Sequence, residues 1–380
     1  MDFNLSEEQQ MLQDTVARLA RDRYSFEQRE QFYRSETGFS REFWNQLGEL
    51  GLSAVPLAEE YGGFGGSGVD TLLVMTELGR NLCLEPYLQS QIHGAGLLQQ
   101  LGSADQRGQW LPQVATGELQ LAVALEERQS HYHLHDVQSR AEAVEGGWRL
   151  TGHKCAVVGG HSAGLILVSA RTAGGALDES GISLFLLDPQ AAGVRRREYP
   201  CIDGPRACDL YLDGVVLQHN HLLGPAGQAL AALRYQQGRA VAAQCAEAIG
   251  NMQEAFSLTL DYLKTRQQFS APIGKLQVLQ HRMADMRGEL ELAISMATLA
   301  ACIADDPDSD ERSRGLAAAK FIVTRAARFI AEQAIQLHGG IGMTWEYNLA
   351  HHAKRLVMLS HQLGDDDHHL QAYADLMRNA

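Results

Sequence analysis

The 380-residue sequence is short of positive charge, of cysteine and of long apolar runs. Lys and Arg total 32 against 46 Asp and Glu, a net charge of −14. That balance makes nucleic acid and anionic membrane poor partners, since both carry the same sign. No apolar stretch reaches transmembrane length, and the opening residues MDFNLSEEQQ are acidic and polar, unlike a signal peptide. The six cysteines (Cys83, Cys155, Cys201, Cys208, Cys245, Cys302) are scattered, without a CxxC pair. Nothing marks export, so the expectation is reduced thiols in a cytoplasmic protein. The length suffices for two or three domains around a large core.

The patterning divides the chain into three. Residues 1–118 read as helical: Ser6 and Gln9 form a capping-box pattern, and Met11, Val16, Leu19 and Ala20 line one face behind it. Trp44, Leu47, Leu50 and Leu52 mark a further helix that Gly51 helps to end. Gly63-x-Gly65-x-x-Gly68 matches the dinucleotide fingerprint literally. The residues before it, Pro56–Tyr61, are no hydrophobic strand, so it reads as a tight turn into a helix over Val69–Gly79. Residues 119–225 are β-formers between turns (LAVAL, WRLTG, LILVSA, ISLFLL, DLYLDGVVL), and their short links predict one antiparallel β-domain. Within it, His131, His133 and His135 alternate as on one strand face. Three imidazoles so placed can hold a metal, but a polar strand or loop is the reading taken and no metal is expected. Residues 226–380 return to helical periodicity, with helices over about 226–264, 276–304, 311–337 and 365–377. This predicts a four-helix bundle. The fold class is therefore mainly α with a central β-domain.

One corner of that bundle concentrates unusual residues. In KTRQQFSAPIGKLQVLQHRMADM (Lys264–Met286), Ser270, Pro272 and Gly274 break the helix, because Pro removes a donor and constrains the residue before it. Beyond the break, Leu276, Leu279, Met283, Met286, Leu290 and Ile294 recur at helical spacing. Arg266, Gln268 and Phe269 thus fall at a helix end, and Gln277 in the first turn of the next helix. An arginine fork there suits a phosphate and Phe269 a flat ring; a solvated Arg and a core Phe fit the same residues.

This stretch resembles the R-x-Q-F-G-x-P-I-x-x-F-Q-x-x-Q-x-x-L-A-D-M signature of the acyl-CoA dehydrogenase family. QLHGGIGMTWEYNLAHHAKR (Gln336–Arg355) is similar to its Q-x-x-G-G-x-G-x-x-x-E-Y block. With EEYGG in the first segment and WxLTGxK in the second, the resemblance covers essentially the whole chain. It implies the same helical–β–helical order, bound FAD, an acyl-CoA substrate, and an electron-transfer flavoprotein or similar acceptor. It also implies an oligomer, homo- or hetero-, built as a dimer of dimers. Dehydrogenation needs a desolvated base, a polarised thioester carbonyl and an adjacent hydride acceptor, and no side chain accepts a hydride. By resemblance, Arg266 meets the FAD pyrophosphate of a neighbouring subunit, beside Phe269 and Gln277. Gln336, Leu337, Gly339 and Gly340 form the turn that receives the adenosine end, where backbone approaches closely only without Cβ. Arg239 matches an arginine retained on the substrate side.

Three departures stand out. The flavin-contacting K-x-W-I-T-N-G is here Lys154–Gly160, with Ala156 for Trp and Val158 for Thr. The T-E-P-x-x-G-S-D loop becomes Glu126–Asp136, longer and without its Thr. The catalytic Glu of a Y-E-G-T segment falls on Leu363, and the alternative position before Arg239 is Gly238. Asp365 is the first candidate for a substitute base, although Asp365–His369 also reads as the charged first turn of the last helix. The tail Gly364–Leu370 is most similar to the small subunits of pimeloyl-CoA dehydrogenases. These pair with a large subunit and imply a dicarboxyl-CoA. Two functions follow: dehydrogenation with a non-standard base, or a non-catalytic, FAD-sharing partner subunit.

Overall fold

Serine caps organise the first segment. The computed structural model describes residues 4–378; Met1–Phe3 and the last two residues of the C-terminal segment lie outside it. Ser6 and Ser25 close capping boxes on α1 (Glu7–Arg23) and α2 (Phe26–Arg34), and Ser40 caps α3 (Arg41–Glu49). Val16 and Ala20 bury the inner face of α1, but Met11 points outward and is exposed. Gly51 stops the chain after α3 with φ of 73°, and Leu50 just before it is exposed. The glycine stretch 62–68 is a loop entering α4 (Gly68–Arg80). A π-helical turn, Leu88–Gly94, runs into α5 (Ala95–Leu101), and α6 (Ala104–Ala115) completes the segment. Residues 69–79 are helical as expected, whereas nothing in the pattern signalled the π-turn.

The middle segment is one mixed sheet rather than a purely antiparallel one. Its strands are β1 (Leu121–Ala124), β2 (Arg140–Val144), β3 (Gly147–Val158), β4 (Leu165–Arg171), β5 (Ile182–Leu187), β6 (Val194–Pro200), β7 (Arg206–Gln218) and β8 (Leu222–Leu223). They run in the order β6-β7-β3-β2-β4-β5-β8, with β1 against β4. β1 and β2 both pair parallel to β4, and short local links gave no hint of these non-local pairings. β5 is buried along its whole length, as its unbroken apolar run requires. The histidines 131, 133 and 135 lie in a loop, not on a strand. His131 and Tyr132 take φ of 40° and 72°, which no strand admits. Arg171 pins this loop from inside, donating to the carbonyls of His135, Val137, Ala176, Asp178 and Ser180.

The last segment comprises α7 (Leu230–Thr265), a two-residue hairpin of β9 (Gln267–Gln268) and β10 (Ala271–Pro272), α8 (Gln277–Ile303), α9 (Asp310–His338), α10 (Asn348–Leu359) and α11 (Asp366–Arg378). α10 is a helix beyond the four expected; Leu349, Ala350, Ala353, Leu356 and Leu359 bury its inner face. Met283, Met286 and Leu290 of α8 are buried, while Leu276 is the exposed residue before its first turn. α4 lies against α7 with backbones touching: a Cβ on Gly79 would sit 2.2 Å from the Glu247 carbonyl oxygen, and one on Gly250 1.8 Å from that of Thr76. Among the described residues, no helix is long and apolar enough to cross a membrane.

Candidate active site

The three segments meet around a cavity of about 220 Å³. The π-turn supplies Leu88, Gln89 and His93, in keeping with the tendency of π-bulges to mark functional sites. Val123 and Leu125 come from β1 and its exit, and Glu126 follows them as the one carboxylate among the lining residues. The loop beyond folds over the opening, where Tyr132 donates to the His361 carbonyl oxygen at 3.2 Å. Gln237 and Gln244, two helical turns apart on one face of α7, line the wall. Gln362 and Leu363, after α10, close it. Leu363 takes φ of 57° ahead of Gly364, a turn that presents its side chain to the cavity. Burial raises the Glu126 carboxyl above the ordinary carboxylate range and pulls the His93 imidazole down to about 4. His93 Nε2 is buried without a hydrogen-bond partner.

Behind the flavin-loop positions lies a buried ion pair. Glu127 accepts from Lys154 Nζ at 2.7 Å, from the Gln138 amide at 2.8 Å and from the Ser139 amide at 3.1 Å. Lys154 also donates to Ser169 Oγ and the Leu125 carbonyl. Burial works to raise the Glu127 carboxyl, but the Lys154 charge and these hydrogen bonds outweigh it and hold it at about 2. A folded-state value below the unfolded one stabilises the fold above pH ~4.3 and loses that contribution as pH falls toward 2. Urea titrations across that window should therefore show stability falling with acid in the wild type, with a visibly shallower slope in Glu127→Gln.

The residues singled out from sequence divide into two groups. Arg266 ends α7, Phe269 stands at the hairpin tip with 90% of its surface exposed, and Gln277 opens α8. Phe269 and Ser270 take φ of 53° and 65°, the two positive values of a type I′ turn, where the family signature has Gly at the second position. Gln336 and Leu337 end α9, and Gly339 and Gly340 follow. Tyr262 stacks on His338 at 4.3 Å, so both blocks lie at one end of the bundle. A Cβ on Gly339 or Gly340 would meet nothing, leaving open space for another molecule, and Gly339 has φ of 66°. This corner is distant from the cavity of its own chain. From Gln244 to Arg266 α7 rises 1.5 Å per residue, about 33 Å in all.

The other two do not reach the cavity. Arg239 points to the opposite side of α7 and pairs with Asp305 at 2.8 Å. Asp365 lies outside the lining; its Oδ1 accepts from the His368 amide at 2.8 Å, as the cap of α11. Gly238 faces a separate cavity beside Arg312. His93, Glu126, Gln237 and Gln244 were not foreseen as site residues, because they come from three distant stretches, the π-turn, the exit of β1 and α7, that only the tertiary fold brings together.

Comparison with known proteins settles the family. Models of the acyl-CoA dehydrogenase N-terminal, middle and C-terminal domains match residues 6–118, 122–215 and 227–376. The chain belongs to the acyl-CoA dehydrogenase family. Acyl-CoA dehydrogenase FadE12 of Mycobacterium tuberculosis is 31% identical over 81% of this chain and 80% of its own. The 3-sulfinopropanoyl-CoA desulfinase of Paraburkholderia xenovorans is 31% identical over 90% of this chain and 88% of its own. A solved structure, that of a variant of the Tcur3481-Tcur3483 steroid ACAD, superposes with TM-score 0.88 at 29% identity, covering 98% of both chains. As an acyl-CoA dehydrogenase family oxidoreductase the protein uses FAD, and its residues fit that group. The cavity has apolar walls and the orphaned His93 Nε2, and Ala156 leaves room there. The corner offers an arginine and two glycines beside open space.

Proposed function

We propose that this chain is one subunit of a paired FAD-dependent acyl-CoA dehydrogenase, itself lacking the proton-abstracting carboxylate. The observation that carries the reading is Leu363 on the cavity wall, at the position where the family has its Glu. Asp365 is engaged as a helix cap and Gly238 faces elsewhere. The name of the Tcur3481-Tcur3483 structure pairs two components, which supports a hetero-oligomer here. FAD supplies the hydride acceptor. This chain's corner, through Arg266, Phe269 and Gln277 and through Gln336, Leu337, Gly339 and Gly340, holds the pyrophosphate and adenosine of a cofactor seated in a neighbouring subunit, and the assembly is a dimer of dimers. Electrons pass on to an electron-transfer flavoprotein or a similar acceptor. A dicarboxyl-CoA, implied by the tail's likeness to the small subunit of pimeloyl-CoA dehydrogenase, would meet no Lys or Arg among the lining residues. An uncharged acyl chain suits the wall of Leu88, Val123, Leu125 and Met358 better.

A second reading has its own observation. Glu126 is the lining carboxylate, raised toward a general base's working range by burial, and so could abstract the proton within this chain. Bleaching of the visible flavin band by a panel of acyl-CoAs separates the two. The isolated chain should bleach slowly or not at all, and quickly once a Glu-bearing partner is added; prompt bleaching by the isolated chain overturns the paired-subunit reading. Arg266→Ala should weaken FAD retention by about 1.5–3 kcal/mol, the contribution of a charge-assisted phosphate contact, measured as released flavin on dilution. Unchanged retention would remove Arg266 from the cofactor site.

A further inference from the structure

One group of side chains at the edge of the cavity has the chemistry of a cation site. Among the described residues, His153, Cys155 and Asp209 are the three whose ligand atoms lie mutually within 4.8 Å. The fold brings them together. His153 and Cys155 are two apart on β3 and share the face opposite buried Lys154. A β-bulge interrupts the register between the pairs Lys154–Leu210 and Val157–Cys208, so that Cys155 and Ala156 together oppose Asp209. Ala156 takes φ of 52° there. The bulge turns the thiol toward the carboxylate across the ladder.

The distances suit one ion. Cys155 Sγ and His153 Nε2 are 3.9 Å apart. Tetrahedral Zn²⁺ with sulfur at about 2.3 Å and nitrogen at about 2.0 Å sets them about 3.6 Å apart. The supporting contacts are also present. Tyr199 donates to Asp209 Oδ1 at 3.0 Å, leaving Oδ2 free for a metal. The His153 ring is stacked on Tyr211 at 4.3 Å and 10°, which fixes its plane, and the Arg195 guanidinium lies over the same tyrosine ring at 3.9 Å. All three ligands are half-buried, so the site is reachable without opening the sheet. The donor set of thiolate, imidazole and carboxylate excludes Ca²⁺ and Mg²⁺, which take oxygen alone, and selects a borderline-soft ion.

We propose that His153, Cys155 and Asp209 form a Zn²⁺ site with three protein ligands and one open position. Cys155 also lines the active-site cavity, so the ion clamps the bulge that carries Ala156 and Val158 on the cavity wall. The proposal does not depend on which subunit supplies the base.

The test uses the full-length flavoprotein, stripped with a chelator, dialysed and titrated with Zn²⁺. One ion per chain is expected. X-ray absorption at the zinc edge should show one sulfur at about 2.3 Å and nitrogen or oxygen at about 2.0–2.2 Å. Cys155→Ser and His153→Ala should each weaken binding by about 100-fold or more, and Tyr199→Phe, which removes only the support of Asp209, by about 10-fold. No uptake at micromolar free Zn²⁺, a metal shell without sulfur, or uptake that survives Cys155→Ser and disappears in Cys302→Ser overturns the site. The X-ray absorption result is read on the wild type, so it stands even if a variant misfolds.

Discussion

Replacing Arg355 by methionine is expected to cost about 3–5 kcal/mol of stability, the range for removing one partner of a buried ion pair. Arg355 of α10 grips Glu247 of α7 with two hydrogen bonds, at 2.6 and 2.9 Å, and Asp203 of the β-domain at 2.6 Å. Burial works against its charge, but the two carboxylates outweigh burial and raise its pKa. Methionine fills similar volume yet leaves both carboxylates facing apolar surroundings. The damage extends to the cavity, because Arg355 also donates to Gln362 at 3.3 Å. Gln244 holds the same oxygen at 3.3 Å, and Lys320 bonds Gln244 and the Leu359 carbonyl behind it. Denaturant unfolding should show the loss, together with weaker flavin retention. Adding Glu247→Gln and Asp203→Asn to Arg355→Met should recover part of the stability, since the stranded charges are then gone. A loss below about 1 kcal/mol, the scale of a solvated surface pair, would show that water already compensates the triad.

What could be read from sequence follows what is local. Pro272 and Gly274 mark the α7–α8 break because their effects act on neighbouring residues, and the Arg266 corner was legible for that reason. The apolar spacing of α10 was equally local, with Leu349, Ala353, Leu356 and Leu359 on one face. The glycine-rich block Gln336–Arg355 overlaps that stretch and masks its period. The alternation of His131, His133 and His135 mimics a strand, but the long-range grip of Arg171 on five carbonyls decides the loop. The pairing of β1 and β2 with β4, and the meeting of His93, Glu126, Gln244 and Leu363 around one cavity, depend on tertiary contacts between distant segments. No spacing rule carries those. That a leucine stands at 363 is plain from sequence, whereas its place on the cavity wall and the reason Asp365 stays out of the lining, its cap on α11, needed the structure.

Installing a carboxylate at position 363 should be the most informative change. Leu363→Glu places a side chain of similar length on a wall that already includes Leu88, Met358 and Ala207. Such apolar neighbours raise a carboxyl's pKa toward the working pH of a general base. The backbone at 363 is already turned to φ of 57° and Gly364 follows, so the substitution asks no new conformation of the chain. If proton abstraction is what the isolated chain lacks, Leu363→Glu should raise flavin bleaching by an acyl-CoA about 10²–10⁴-fold, the usual contribution of a general base. Glu126→Gln supplies the control. If the wild type has a slow activity that Glu126→Gln abolishes, the chain owns a base on its β-domain and the paired-subunit reading fails. If Glu126→Gln changes nothing and Leu363→Glu raises the rate, the carboxylate was the only part missing. No gain in a Leu363→Glu protein that retains FAD would mean that thioester positioning, too, comes from the partner.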